Sequence, residues 1–210
     1  MQPDCPPWDL PEKASDVPSV VSGLIAFQQF VYKNSEKHIL LHGDLKTWHQ
    51  RIFRDVVPIR YYAGNYRGVD PARPCLERDV QVGGLPGAPF AEVHNQMRSL
   101  SDEMRDAVVE TDKYVKGALT PANRARAVIQ LAALYSGRFL RIHPFPNCHG
   151  RTSRIISNYV FGRYGYPMPD YNPYPRPGVP YAQVTAPCMV GDFKPMFRYL
   201  LGVLAAATLA

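Results

Sequence analysis

The sequence predicts a mostly α-helical bundle carrying one small β-hairpin. Three observations point there. Apolar residues recur at helical spacing over two long stretches, Val93, Met97, Leu100, Met104 and Val108, and then Val128, Leu131, Tyr135, Phe139 and Ile142. Prolines cluster near residues 3–18, 71–89 and 167–187, leaving the stretches between them free to form helices. Only Pro58 to Val69, with Ile59, Tyr61, Tyr62 and Tyr66 around Ala63-Gly64-Asn65, has the look of two short strands and a turn.

In chain order, residues 1–14 read as a loosely held arm, and residues 15–210 as a single domain. The first helix is expected from Asp16 to Tyr32, with Val20, Leu24, Phe27 and Val31 on one face and Ser15 or Asp16 as its cap. A second follows over Asp44 to Val57, where Leu45, Trp48 and Ile52 share a face and Trp48 reads as core. Val80-Gln81-Val82, before the Gly83-Gly84 break, reads as a continuation of the hairpin at 58–69. Helices are then expected over 91–109, from the cap Thr120 and Pro121 to Ile142, and over Thr152 to Tyr164, which Gly165 and Pro167 end. Residues 166–187 read as a proline- and tyrosine-rich crossing, and Gly191-Asp192-Phe193-Lys194-Pro195 opens a last helix docked on the core.

Composition is ordinarily globular, with 46% apolar and 20% charged residues. A net charge of +6 favours anionic partners such as nucleotides, but it is too dispersed to single out nucleic acid. Cys5, Cys75, Cys148 and Cys188 show no paired spacing, so four free thiols in a reduced cytoplasmic protein are expected. The N-terminus lacks the build of a signal peptide, and the apolar run from Tyr199 to Ala210 is too short for a membrane span. Injection into a host cell by a dedicated secretion machine is compatible with all of this.

The chemistry concentrates in His143-Pro144-Phe145-Pro146-Asn147-Cys148-His149-Gly150-Arg151 and the following Arg154. A loop leading into a helix start, with a glycine and two arginines three apart, suits a phosphate pocket. His143 can serve as a base near neutral pH. A thiol at Cys148, beside a helix start and two histidines, is expected to ionise readily. Zinc held by His143, Cys148 and His149 does not suit the spacing, because neighbours in so tight a turn seldom share one metal and no fourth ligand is placed to join them.

This stretch resembles the signature loop of the Fic family, His-x-Phe-x-Asp/Glu-Gly-Asn-Gly-Arg-x-x-Arg, at His143, Pro144, Phe145, Gly150, Arg151 and Arg154. Asn147, Cys148 and His149 stand where the family has an acid, a small residue and an asparagine. The resemblance implies a Fic-like helical bundle in which His143 is the general base and Phe145 anchors the loop. It also implies that Arg151 and Arg154 hold the outer phosphates of a nucleotide, with Cys148, His149 and Gly150 lining the phosphate site. Asn147 falls on the Mg²⁺ ligand position, where an amide supplies no charge.

Ala63-Gly64-Asn65-Tyr66-Arg67 resembles the family segment that precedes a β-hairpin flap, which pairs with the target's backbone; Tyr62, Gly64, Tyr66 and Arg67 are then flap or target-docking residues. By resemblance the protein moves a nucleotidyl group of the AMP type, or a related phosphate-containing group, from ATP or another donor onto a Ser, Thr or Tyr hydroxyl of a target protein. The alternative is a degenerate Fic fold that only binds nucleotide or protein. The family's self-inhibiting glutamate motif has no clear counterpart, which leaves room for an inhibitory partner chain.

Overall fold

The computed structural model describes residues 4–8, 18–117, 120–166 and 177–209. Seven helices lie among them: α1 (Pro18–Asn34), α2 (His42–Phe53), α3 (Phe90–Lys116), α4 (Pro121–Ile142), α5 (His149–Arg163), α6 (Val179–Met189) and α7 (Lys194–Leu209). α4 is the central one. Thr120 caps it by accepting a hydrogen bond from the Asn123 amide at 3.3 Å, and Pro121 fills the first position, where no amide partner is needed. Its buried residues include small ones such as Ala132, Ala133, Ser136 and Gly137 as well as Val128, Phe139 and Ile142. Past its first turns most of the helix is buried, leaving Gln130, Leu134 and Arg141 as an exposed stripe, and α3, α5, α6 and α7 all pack on it. At Gly137 a β-carbon would fall 2.5 Å from the Phe193 ring, so the missing side chain lets the start of α7 close in. α1 lies against α5 and α2.

The expected helices are present with shifted ends. α1 begins at Pro18; the proposed caps Ser15 and Asp16 lie outside the described residues. Trp48 is half-buried and stacks on Phe27 with ring centroids 4.5 Å apart. α3 extends past Val109 to Lys116 because its last turns gain a partner, the Arg163 guanidinium of α5 bonding the Asp112 carboxylate. The last helix opens as anticipated, with the Asp192 carboxylate accepting from the Lys194 amide at 3.1 Å.

Four expectations are corrected. Residues 58–69 form no hairpin: Arg60–Tyr62 is a 3-10 turn, and Tyr62 and Tyr66 turn inward to fill the core instead of pairing across a sheet. The hairpin is the later piece, β1 (Gln81–Val82) against β2 (Leu85–Pro86), antiparallel with Val82 opposite Leu85. Gly83 and Gly84, at φ 57° and 81°, supply the two left-handed residues its tight turn demands. The crossing at 166–187 contains a helix, α6, whose Pro180 stands in the first turn, where proline is tolerated; residues 167–176 lie outside the description.

The other two concern the arm and its cysteine. The described part of the arm is not loose, since Trp8 is buried against Phe53 and Tyr62. Nor are all thiols free: Cys5 and Cys75 form a disulfide, leaving Cys148 and Cys188 reduced and buried. No pattern of spacing could announce a bridge between residues 70 apart in the chain. No described helix is long and apolar enough to cross a membrane.

Candidate active site

Between α4 and α5 the chain makes a six-residue bend, and its two ends are the two non-glycine residues with positive φ among those described, His143 at 52° and Cys148 at 70°. Each stands in the left-handed region that costs an ordinary side chain about 1–2 kcal/mol. Such strain persists where the surroundings enforce it. Here the enforcement is visible.

Arg67 is the main clamp. It is fully buried, and its guanidinium donates to the carbonyls of His143 (2.8 Å), Ile142 (3.0 Å), Ala88 (2.9 Å) and Arg78 (3.0 Å), while its amide donates to the Pro144 carbonyl at 2.7 Å. The end of α4, the loop and both approaches to the hairpin thus meet on one side chain. Burial lowers its pKa to about 10, so it stays cationic at neutral pH.

Arg67 is therefore not a docking residue, and neither are its neighbours. Tyr66 is buried, packs on the Phe145 ring and donates to the His42 carbonyl at 2.8 Å. Tyr62 is buried and donates to the Pro6 carbonyl at 3.2 Å. Gly64, at φ 77°, lies where a β-carbon would come within 2.6 Å of Gln50, so its role is close approach to α2. The Tyr-Ala-Gly-Asn-Tyr-Arg stretch is a buttress beneath the loop.

Phe145 points into the core beneath the loop. It is fully buried and stacks on His49 with centroids 3.8 Å apart. His49 is a residue that the sequence did not single out. Its Nδ1 accepts from the Gly64 amide at 3.0 Å, so its Nε2 carries the proton and donates to the Asn147 carbonyl at 3.3 Å. Burial holds its pKa down at about 3. A histidine on the apolar face of α2, four residues after Leu45, was the only available hint.

The rings of His143 and His149 are in contact, centroids 3.6 Å apart and tilted 33° to each other. Nδ1 of His143 donates to the Leu140 carbonyl at 2.6 Å, which leaves its Nε2 with a lone pair. Burial, with Arg67 nearby, lowers its pKa to about 4. Nε2 of His149 accepts from the Phe145 amide at 3.0 Å, so the proton of that ring sits on Nδ1. Burial first, then the neighbouring His143, His49 and Arg67, keeps His149 well below the usual histidine range. Both rings are neutral at neutral pH.

The Cys148 thiol departs from expectation. Burial pushes it up to about 12, against a smaller opposing pull from Arg151, whose Nη1 is 3.7 Å from the sulfur. It is a packing group.

His143, Asn147, Cys148, His149, Gly150, Arg151 and Arg154 line one cavity of about 450 Å³. The hairpin closes one side with Val82, Gly83 and Leu85, and α6 closes another with Tyr181, Ala182, Thr185 and Met189. The unpaired amides of the first turn of α5 start at this cavity. Arg154 is buried with its guanidinium 5.1 Å from the centre of the Tyr181 ring, and the Tyr181 hydroxyl lies 3.0 Å from that of Ser153, which docks α6 on α5. The α6 wall had no sequence signal beyond its tyrosine, since its helical character is masked by prolines at both ends.

Among the described residues no carboxylate lines this cavity, and no group of three or more His, Cys, Asp or Glu is arranged to hold a metal. Asn147 is engaged at both ends of its side chain: Nδ2 donates to the Trp8 carbonyl at 2.6 Å, and Oδ1 accepts from the Cys148 amide at 2.6 Å. That donor set does not fit Mg²⁺, which favours charged oxygens.

The profile of the Fic/DOC family matches residues 39–161. Among solved structures, the crystal structure of a Fic domain containing signaling protein from Bacteroides thetaiotaomicron VPI-5482 is similar with a TM-score of 0.64 and 24% identity, covering 89% of this chain and 68% of that one. At that identity the likeness establishes the fold. No curated protein matches.

Proposed function

The chain belongs to the Fic/DOC family, and from that premise we propose that it transfers a nucleotidyl group of the AMP type, or a related phosphate-containing group, onto a protein hydroxyl. The observation that carries the proposal is the fixed tautomer of His143: with Nδ1 committed to Leu140, Nε2 is the free base, and it shares a cavity with Arg151 and Arg154. Nε2 takes the proton of a target Ser, Thr or Tyr hydroxyl as its oxygen attacks phosphorus. The guanidiniums of Arg151 and Arg154 neutralise the phosphate chain, and the amides opening α5 bind its oxygens. The leaving pyrophosphate departs from the arginine side. The hairpin, which closes one side of the cavity, is where a target segment docks.

No step runs through a divalent cation, because the donor set around Asn147 does not fit one. Positioning and charge neutralisation by the two arginines supply what stabilisation the reaction receives.

The test is intact-mass analysis after incubation with ATP, and separately with other nucleotide donors, of the protein and of lysate proteins. A fixed added mass that disappears with His143→Ala supports the transferase. A second reading has its own support in the fully engaged Asn147 side chain: a binding module without chemistry. It prevails if nucleotide binds and no adduct forms with any donor.

A further inference from the structure

We propose that Trp8 is a positioning residue of this cavity, acting through Asn147, and that the Cys5–Cys75 disulfide is the redox-sensitive tie that holds it in place. The proposal rests on the nucleotide reading only for its effect on ligand binding.

Asn147 is held from three directions. His49 bonds its carbonyl at 3.3 Å, the Cys148 amide bonds its Oδ1 at 2.6 Å, and its Nδ2 donates to the Trp8 carbonyl at 2.6 Å. The first two partners belong to the helical body and the loop itself. The third comes from a segment 139 residues away in sequence. That contact requires an amide at position 147, since a carboxylate there would set two acceptor oxygens against each other. The residue that makes the loop unsuited to Mg²⁺ is thus the one that lets the arm dock.

What holds Trp8 is specific and breakable. Its indole is buried, edge-on to His49 and Phe53 at centroid distances of 5.8 Å each, and the Tyr62 hydroxyl donates to the Pro6 carbonyl at 3.2 Å. The indole N–H, however, is buried without a hydrogen-bond partner among the described residues, which weakens the docking. Cys5 is three residues away, close enough that its bond to Cys75 confines Trp8 to a radius of about 10 Å. Without the bond, the arm must be held by its own contacts.

In the reducing step, a dithiol donates two electrons and two protons. The S–S bond breaks to give the Cys5 and Cys75 thiols, and the dithiol becomes its disulfide. The arm then leaves, and the Asn147 side chain loses its outer partner and turns toward the cavity.

The experiment uses the full chain carrying Trp48→Phe, so that Trp8 is the only indole. Acrylamide quenching of its emission and the Asn147 side-chain amide resonance are followed before and after dithiothreitol, and ATP binding is titrated in both states. Reduction is expected to raise quenching several-fold, to move the Asn147 resonance, and to change the ATP dissociation constant about tenfold, the worth of about one hydrogen bond. Asn147→Asp in the oxidised protein should raise quenching as well, with the disulfide intact. Cys5→Ser/Cys75→Ser should behave as the reduced protein; if it does not fold, the reduced wild type and Asn147→Asp still decide.

Unchanged quenching in both of those overturns the proposal, as does a released Trp8 with an unmoved Asn147 resonance and unchanged ATP affinity. If the oxidised protein binds no ATP at all, the nucleotide reading fails by itself. The docking of the arm on Asn147 is then judged by the Asn147 resonance alone, which supports it if reduction moves the resonance and overturns it if not.

Discussion

Nε of Arg67 donates to the carbonyl oxygen of His143 at 2.8 Å, so a histidine that lines the cavity is held by its backbone from beneath. The same guanidinium also binds the carbonyls of Ile142, Ala88 and Arg78. One buried cation therefore sets the end of α4 and the start of the hairpin relative to each other. Loop and flap are positioned together.

Arg67→Lys keeps the charge and loses the planar fork, so three or more buried carbonyls lose their donor. A loss of about 3 kcal/mol or more in unfolding free energy is expected, read by urea denaturation at neutral pH. Wild-type stability in this variant would mean that the guanidinium bonds are not what holds the loop.

Three histidines at the site are buried and neutral: His49 with a pKa of about 3, His143 of about 4, and His149 well below the usual range. All three are depressed relative to the unfolded chain, so the unfolded state binds more protons below the ordinary histidine range. Their stabilisation is fully present above about pH 6.5 and is lost as pH falls toward 4. His143 alone accounts for about 3 kcal/mol of it. Denaturation midpoints measured from pH 7 down to pH 4 should fall steadily, and His143→Gln should flatten part of that slope. Any transferase activity should keep its base deprotonated to near pH 4, so its acid limb lies well below pH 6.

Arg151 is partly exposed to the cavity, and its described side-chain bond is the weak one to the Cys148 sulfur at 3.7 Å. Arg151→Ala should therefore leave the fold intact and weaken nucleotide binding by about 1.5–3 kcal/mol, the worth of a hydrogen bond to a charged group. Calorimetric titration reads this directly. Equal affinity in wild type and variant would place the phosphates elsewhere.

The Cys5–Cys75 bridge closes a loop of 70 residues. On the chain-entropy estimate, its reduction should cost about 4 kcal/mol of stability. Cys188→Ala, which touches no bridge, should cost less than that under both oxidising and reducing conditions. Guanidinium denaturation with and without dithiothreitol separates the two.

The sequence by itself determined the helices other than α6, and the stretch that matters. Periodicity located α4, because a buried helix must place apolar groups at helical spacing whatever surrounds it, and the Thr120-Pro121 start is a local signal. The loop from His143 to Arg151 was legible because its residue types suit phosphate at short range. The tertiary structure decided everything that depends on who sits across from whom. Tyr62, Tyr66 and Arg67 read as strand and surface because β-propensity cannot tell a pleated edge from a buried buttress; only the packing of Phe145 above them makes the distinction. Cys148 reads as a reactive thiol from its neighbours in sequence, yet burial outweighs their charge. His49, Trp8 and the Cys5–Cys75 bridge leave no local mark, because each acquires its role from a partner at least 15 residues away.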